Sequence, residues 1–238
     1  MAPDDIAVDP TGRIWVTARE ANQLISMSST GTDVSVQTVP GGPEGVVSDA
    51  STLYVAQQNL NAISVVGATP HTLLALPNRT INAGIDGIGL DTTGHRLLIP
   101  DSPTGRLLAA ALPGGTDVRV LAARLGRPVA AAVDPGGDVF VASESSPGLR
   151  MFAPTGGTRT LGHFGDLDEV AWYAGLLYVT ELDRHDVVAV DPATGAVAVL
   201  AAGLPAPQGL AVTAAGVLEI VDATTQTLYS IPSCGVSS

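Results

Sequence analysis

Asp4, Glu44, Asp86 and Asp168 share one place in a seven-residue phrase that the chain repeats six times. The copies begin as Pro3-Asp4-Asp5-Ile6, Pro43-Glu44-Gly45-Val46, Ile85-Asp86-Gly87-Ile88, Pro128-Val129-Ala130-Ala131, Leu167-Asp168-Glu169-Val170 and Pro207-Gln208-Gly209-Leu210. The second residue is a carboxylate in four copies, with Val129 and Gln208 in the other two. Equivalent positions of a repeat come together when its copies are arranged around one centre. Carboxylates gathered that way repel one another and favour a hard cation between them, such as Ca²⁺ or Mg²⁺. Glu44, Asp86 and Asp168 are the candidate metal ligands, with Asp4 and then Glu181 as further choices. Exposed acids that serve solubility and turns would leave the same pattern.

A second set of positions leaves the following strand of each copy: Arg19, Gln57, Asp101, Ser143, Glu181 and Asp222. Glu20, Glu144, Asp183 and His185 lie close to these in sequence. Glu181 and His185 are the candidate catalytic residues, His185 as a general base. An exposed loop histidine without a role looks the same in sequence. Arg19 and Arg184 could bind an anionic group, and pairing with neighbouring acids is the reading favoured for both. His163, His71 and His95 fall in turns or outer segments and are read as structural or inert.

The elements that must position these residues follow from the repeat. Its fourth residues are Ile6, Val46, Ile88, Ala131, Val170 and Leu210, which puts the steps at 40, 42, 43, 39 and 40 residues. A fixed period of this size means one supersecondary unit copied along the chain. Within a copy, apolar residues alternate with polar ones and turn residues break the runs, which is the strand signature. The first copy predicts strands over Asp5–Asp9, Ile14–Ala18, Gln23–Ser28 and Asp33–Val39. Asp-x-x-Gly turns recur at Asp9–Gly12, Asp91–Gly94 and Asp134–Gly137, where Asp accepts backbone hydrogen bonds and Gly supplies positive φ.

The second strand carries Trp15, Tyr54, Leu98, Phe140 and Tyr178 in register, read as packing between sheets, and Glu219 breaks this column in the sixth copy. Four short strands per copy, six times over, predict an all-β six-bladed β-propeller. Residues 1–238 are read as one domain. The first strands are rich in small residues, as innermost strands crowded around an axis must be. The sixth copy has room for only three strands, so the expectation is 23 strands, with the ring closed by the first inner strand packing on the last.

Composition narrows the partners. The net charge is −12, and all 11 basic residues are arginine. Nucleic acid is excluded as a partner because phosphate binding needs clustered cations. No apolar stretch approaches the ~18 residues of a membrane span, so no membrane insertion is expected. The single cysteine, Cys234, permits no internal disulfide and no cysteine metal cluster. The first copy starts at Pro3 with no leader in front, which raises the expectation of an exported chain, secreted or periplasmic, or of a piece of a larger ectodomain. Asn78-Arg79-Thr80 matches a glycosylation sequon.

The phrase Pro-x-Gly-[Ile/Val/Leu]-x-x-Asp followed by an apolar strand resembles the NHL, SMP-30/gluconolactonase and streptogramin-lyase propellers. The resemblance runs over the whole chain. It implies a loop face that binds a small molecule or a protein, since this architecture hosts lactonases, lyases, sensors and binding modules. In SMP-30-like lactonases the second place of the phrase carries metal ligands within Asn-Gly and Asp-Gly pairs, and Glu44-Gly45 and Asp86-Gly87 match that placement. Two departures weigh against an enzyme. No second-place residue is the histidine of streptogramin lyases, and the nearest asparagine, Asn82, precedes Ala83. The first reading of function is therefore a binding propeller, with a divalent cation at its acidic mouth. The alternative is a metal-dependent lactonase, hydrolase or lyase, and a third reading is a purely structural ectodomain.

Overall fold

The computed structural model describes residues 1–50, 52–77, 84–145 and 148–233. Cys234, the Asn78–Thr80 sequon and Asn82 lie outside them. The described chain forms six antiparallel sheets, five of four strands and one of three. Blade one holds β1 (Ile6–Val8), β2 (Ile14–Ala18), β3 (Gln23–Met27) and β4 (Ser35–Thr38). Blade two holds β5 (Pro43–Asp49), β6 (Thr52–Gln57), β7 (Ala62–Val66) and β8 (His71–Ala75). Blade three holds β9 (Gly89–Asp91), β10 (Arg96–Asp101), β11 (Arg106–Ala111) and β12 (Thr116–Ala123). Blade four holds β13 (Pro128–Val133), β14 (Val139–Ser143), β15 (Leu149–Phe152) and β16 (Thr158–Thr160). Blade five holds β17 (Leu167–Tyr173), β18 (Leu176–Glu181), β19 (Asp186–Val190) and β20 (Val197–Ala202). Blade six stops after β21 (Pro207–Val212), β22 (Val217–Asp222) and β23 (Thr227–Pro232). The fold is the six-bladed β-propeller that the repeat predicts, and no described helix is long and apolar enough to cross a membrane.

Each blade is a meander whose first strand lies nearest the axis. Crowding there dictates composition. A Cβ on Gly89 would stand 2.0 Å from the carbonyl oxygen of Ala131, and one on Gly87 would stand 2.5 Å from that of Val129. Only glycine tolerates so close an approach of backbones. The same closeness lets inner strands bond across blades: Gly45 N–H to Asp86 O at 3.0 Å and Gly87 N–H to Val129 O at 2.8 Å. The ring closes in the same way, with Gly209 N–H donating to Asp4 O at 2.8 Å.

Between blades, the apolar alternation of the second strands fills the seams. Tyr54, Leu98, Phe140 and Tyr178 are all buried, and Phe140 stacks nearly parallel on Trp172 with ring centroids 6.0 Å apart. The expected Asp-x-x-Gly turns form. Gly12 N–H reaches Asp9 O at 2.9 Å and Gly137 N–H reaches Asp134 O at 3.0 Å. In the third copy Gly94 donates instead to Asp91 Oδ1 at 2.6 Å, and the positive φ falls on His95. Gly89→Ala should therefore strain the inner ring. Thermal unfolding of that variant is expected to report a loss of about 1–3 kcal/mol, the usual cost of overpacking.

Candidate functional site

The lead-in to each inner strand opens onto one end of the axis, and the turn after the second strand lies beside it. Asp4, Glu44, Asp86 and Asp168 are thereby brought around one small cavity of about 20 Å³, with Val129 and Gln208 completing its wall. That is room for a single water or ion. The surroundings of the four acids differ. Asp86 is buried and well partnered: Ser102 Oγ donates to Oδ2 at 2.8 Å, Gln58 Nε2 donates to Oδ1, and the Arg127 guanidinium lies 2.9 Å away. Asp4 Oδ2 accepts the Arg19 backbone N–H at 2.7 Å. Glu44 Oε2 is buried with no hydrogen-bond partner among the described residues, and the Arg19 guanidinium comes no closer than 3.9 Å.

Electrostatics follow from burial and crowding. Glu44 is pushed up to about 9, first by burial and then by the charge of Asp86. Asp168 is pushed up to about 8 by burial, reinforced by Asp5, Asp86 and Asp4. Burial raises Asp86 as well, against the opposing pull of Arg127, and raises Asp4 against its hydrogen bond from Arg19.

Two further acids lie just beneath. Asp5 and Glu169 occupy the third place of the phrase, where three copies have glycine and one has alanine. Thr17 and Thr180 accept their backbone N–H groups at 2.9 and 2.8 Å. Asp5 accepts N–H groups from Ile6 and Val46, both at 2.7 Å, and Glu169 accepts that of Val170 at 2.7 Å. The two carboxyls are hydrogen-bonded to each other, and burial drives both upward. They line the mouth cavity and also the wider channel below it, about 250 Å³ walled by inner-strand side chains, so they divide one from the other.

Glu181 and His185 do not line the mouth cavity. Glu181 is fully buried at the end of β18, raised to about 7 by burial, with Arg184 at 3.4 Å opposing and Asp186 reinforcing. His185 is exposed at a left-handed corner, φ 60°, where other blades place Asn22, Asn61, Gly105 and Gln226. Asp101 and Asp222 cap their own turns through Thr104 and Thr225. Arg19 pairs with Glu20 at 2.9 Å, in line with the ion-pair reading, and Arg184 bonds the carbonyl of His163 at 3.1 Å. Arg127, which also pairs with Glu144, has no place in the repeat and is not singled out from sequence. Asp5 and Glu169 are detectable there, because they break a glycine-alanine column.

The oxygen-only donor set and the unpartnered Glu44 oxygen suit a hard cation. As the side chains stand, no group of three or more His, Cys, Asp or Glu among the described residues is gathered to hold a metal ion.

No family model matches the chain, and no curated protein matches it in sequence. Solved structures do match in shape. A gluconolactonase from Xanthomonas campestris superimposes with TM-score 0.83 at 15% identity, covering 97% of this chain and 85% of its own. This is a shared fold. A nidogen/laminin complex gives TM-score 0.76 at 18% identity, covering 93% and 94%. Virginiamycin B lyase from Staphylococcus aureus gives 0.69 at 13%, covering 93% and 77%. The propeller is thus common to lactonase, lyase and protein-binding structures.

The raised carboxyls have a consequence for stability. Above about pH 4 the folded chain keeps protons that the unfolded chain has released, on Asp5 up to about 7, on Asp168 up to about 8 and on Glu44 up to about 9, and burial shifts Glu169 in the same direction. Stability therefore falls as pH rises through that window. The melting temperature is expected to drop from pH 5 to pH 9 in calorimetric scans, and Glu44→Gln should flatten the alkaline part of the drop.

Proposed function

We propose that this protein is a binding propeller whose acidic mouth captures a positively charged ligand group, a divalent cation such as Ca²⁺ or Mg²⁺ being the simplest. One observation carries the reading: Glu44, Asp86, Asp168 and Asp4 crowd one cavity so closely that burial and mutual repulsion hold protons on Glu44 and Asp168 near neutral pH and push Asp86 and Asp4 the same way. A cation replaces those protons and removes the repulsion. Arg127 and Arg19 already offset part of the charge on Asp86 and Glu44, which leaves Asp168, Asp4 and the free Glu44 oxygen as the principal donors. A hard cation bound there would supply charge and a Lewis-acidic point at the centre of the loop face. That face would then present the site to a small molecule or to a protein; the likeness to a nidogen/laminin complex supports the second.

Titration calorimetry with CaCl₂ and MgCl₂ at pH 7.5 tests this. Saturable binding with proton release and a raised melting temperature is expected, weakened at least about ten-fold by Glu44→Gln or Asp168→Asn, as loss of a charged ligand implies. Absence of heat and of any melting shift would overturn it.

A lactonase or lyase is the second reading, favoured by Glu44 itself. A carboxyl raised to about 9 is a proton donor at neutral pH, the tuning that acid catalysis uses. Gluconolactone and a cyclic streptogramin are the substrates to assay, and turnover that vanishes in Glu44→Gln would support an enzyme. Equal rates in the variant would exclude Glu44 as the acid.

A further inference from the structure

Five blades close the seam to the next blade with one bulky side chain at a fixed register. Trp15, Tyr54, Leu98, Phe140 and Tyr178 face Ala7, Val47, Gly89, Ala132 and Ala171 on their inner strands. In blade six the same register pairs Ala211 with Glu219 and Glu219 with Ser230. The seam between blades six and one therefore lacks its plug. A cleft of about 530 Å³ opens there, on the face opposite the acidic mouth, walled by Val8, Pro10, Ala214 and Val217. This volume falls in the range of small-molecule sites.

Its charged content is one-sided. Glu219 is only 3% exposed, and Ser230 Oγ donates to its Oε2 at 2.6 Å. Asp9 also lines the cleft, its carboxylate held by Thr11 and by the Trp15 indole N–H at 3.0 Å. No arginine or histidine among the described residues lines the cleft. Burial raises the Glu219 carboxyl, opposed only by Ser230. A buried acid without a cationic partner is costly unless something supplies the missing charge.

We infer that this seam cleft is a second binding site, for a small arylalkyl ammonium ion whose ring takes the place of the missing aromatic plug and whose ammonium pairs with Glu219. The ring's size follows from the side chains that fill four of the other seams. The charge follows from two carboxylates with no base among the described residues that line the cleft, the nearby Arg13 guanidinium being paired with Asp33. The site is independent of the mouth, and its ligand need not be the ligand of that face.

Phenethylammonium is the probe, titrated by calorimetry or by ligand-observed NMR, with 2-phenylethanol as its neutral counterpart. Saturable binding of the amine is expected, with the alcohol at least about ten-fold weaker, the value of one charge-assisted hydrogen bond. Glu219→Gln preserves shape and should weaken the amine by a similar factor. Glu219→Phe refills the seam and should abolish binding of both probes. The mouth variant Glu44→Gln/Asp86→Asn should bind the amine as the unaltered chain does. The inference is overturned if the amine fails to bind, if Glu219→Gln and Glu219→Phe bind it unchanged, or if the mouth variant loses it.

Discussion

Six inner strands packed around one axis are the constraint on which the molecule depends. Backbones approach so closely that a methyl group at Gly89 or Gly87 would meet a neighbouring carbonyl. The crowding decides which residues line the axis, and it supplies the cross-blade hydrogen bonds that hold the inner ends together. It also dictates what happens to charge. Side chains at the lead-in positions have nowhere to diverge, so four carboxyls share a cavity with room for one ion, and burial and repulsion push all four above the usual carboxylate range.

The ring departs from sixfold symmetry in a consistent way. Blades one and five both replace the small third residue with an acid and both set a threonine under it, Thr17 beneath Asp5 and Thr180 beneath Glu169. Gly209 of the intervening blade makes space for the first: a Cβ there would come within 2.8 Å of Asp5 Oδ1. The arginines are also one-sided. Arg19 and Arg127 lie near Glu44 and Asp86 in blades two and three, while among the described residues no arginine forms an ion pair with Asp168. Asp86 therefore has a close arginine guanidinium, while burial and crowding push Glu44 and Asp168 well above the usual carboxylate range.

The architecture was legible in the sequence because a repeat displays it six times. Strand count, the short last blade and the bulky second-strand column could all be read by aligning copies. The lead-in carboxylates were legible for the same reason. Asp5 and Glu169 were harder to value, since the phrase that contains them draws attention to its second residue. Their signal is the glycine or alanine at the same place in the other copies. Arg127 was not legible at all. It sits in a connector of irregular length, and only the path of that connector carries its guanidinium to Asp86 and Glu144. His185 stands at a left-handed corner that Asn, Gly or Gln fills in other blades, a backbone role that the sequence alone did not display.

The hydrogen bond from Gly209 to Asp4 joins residues from opposite ends of the chain. Other neighbouring blades are also joined by a connector, while among the described residues blades six and one meet through packing and such bonds. The propeller is thus a strip bent into a loop and held by a clasp. Closing it carries the greatest loop-closure entropy of any contact between blades. The clasp thus joins in space the two parts of the described chain that lie farthest apart in sequence, a contact that no local strand pairing can substitute for.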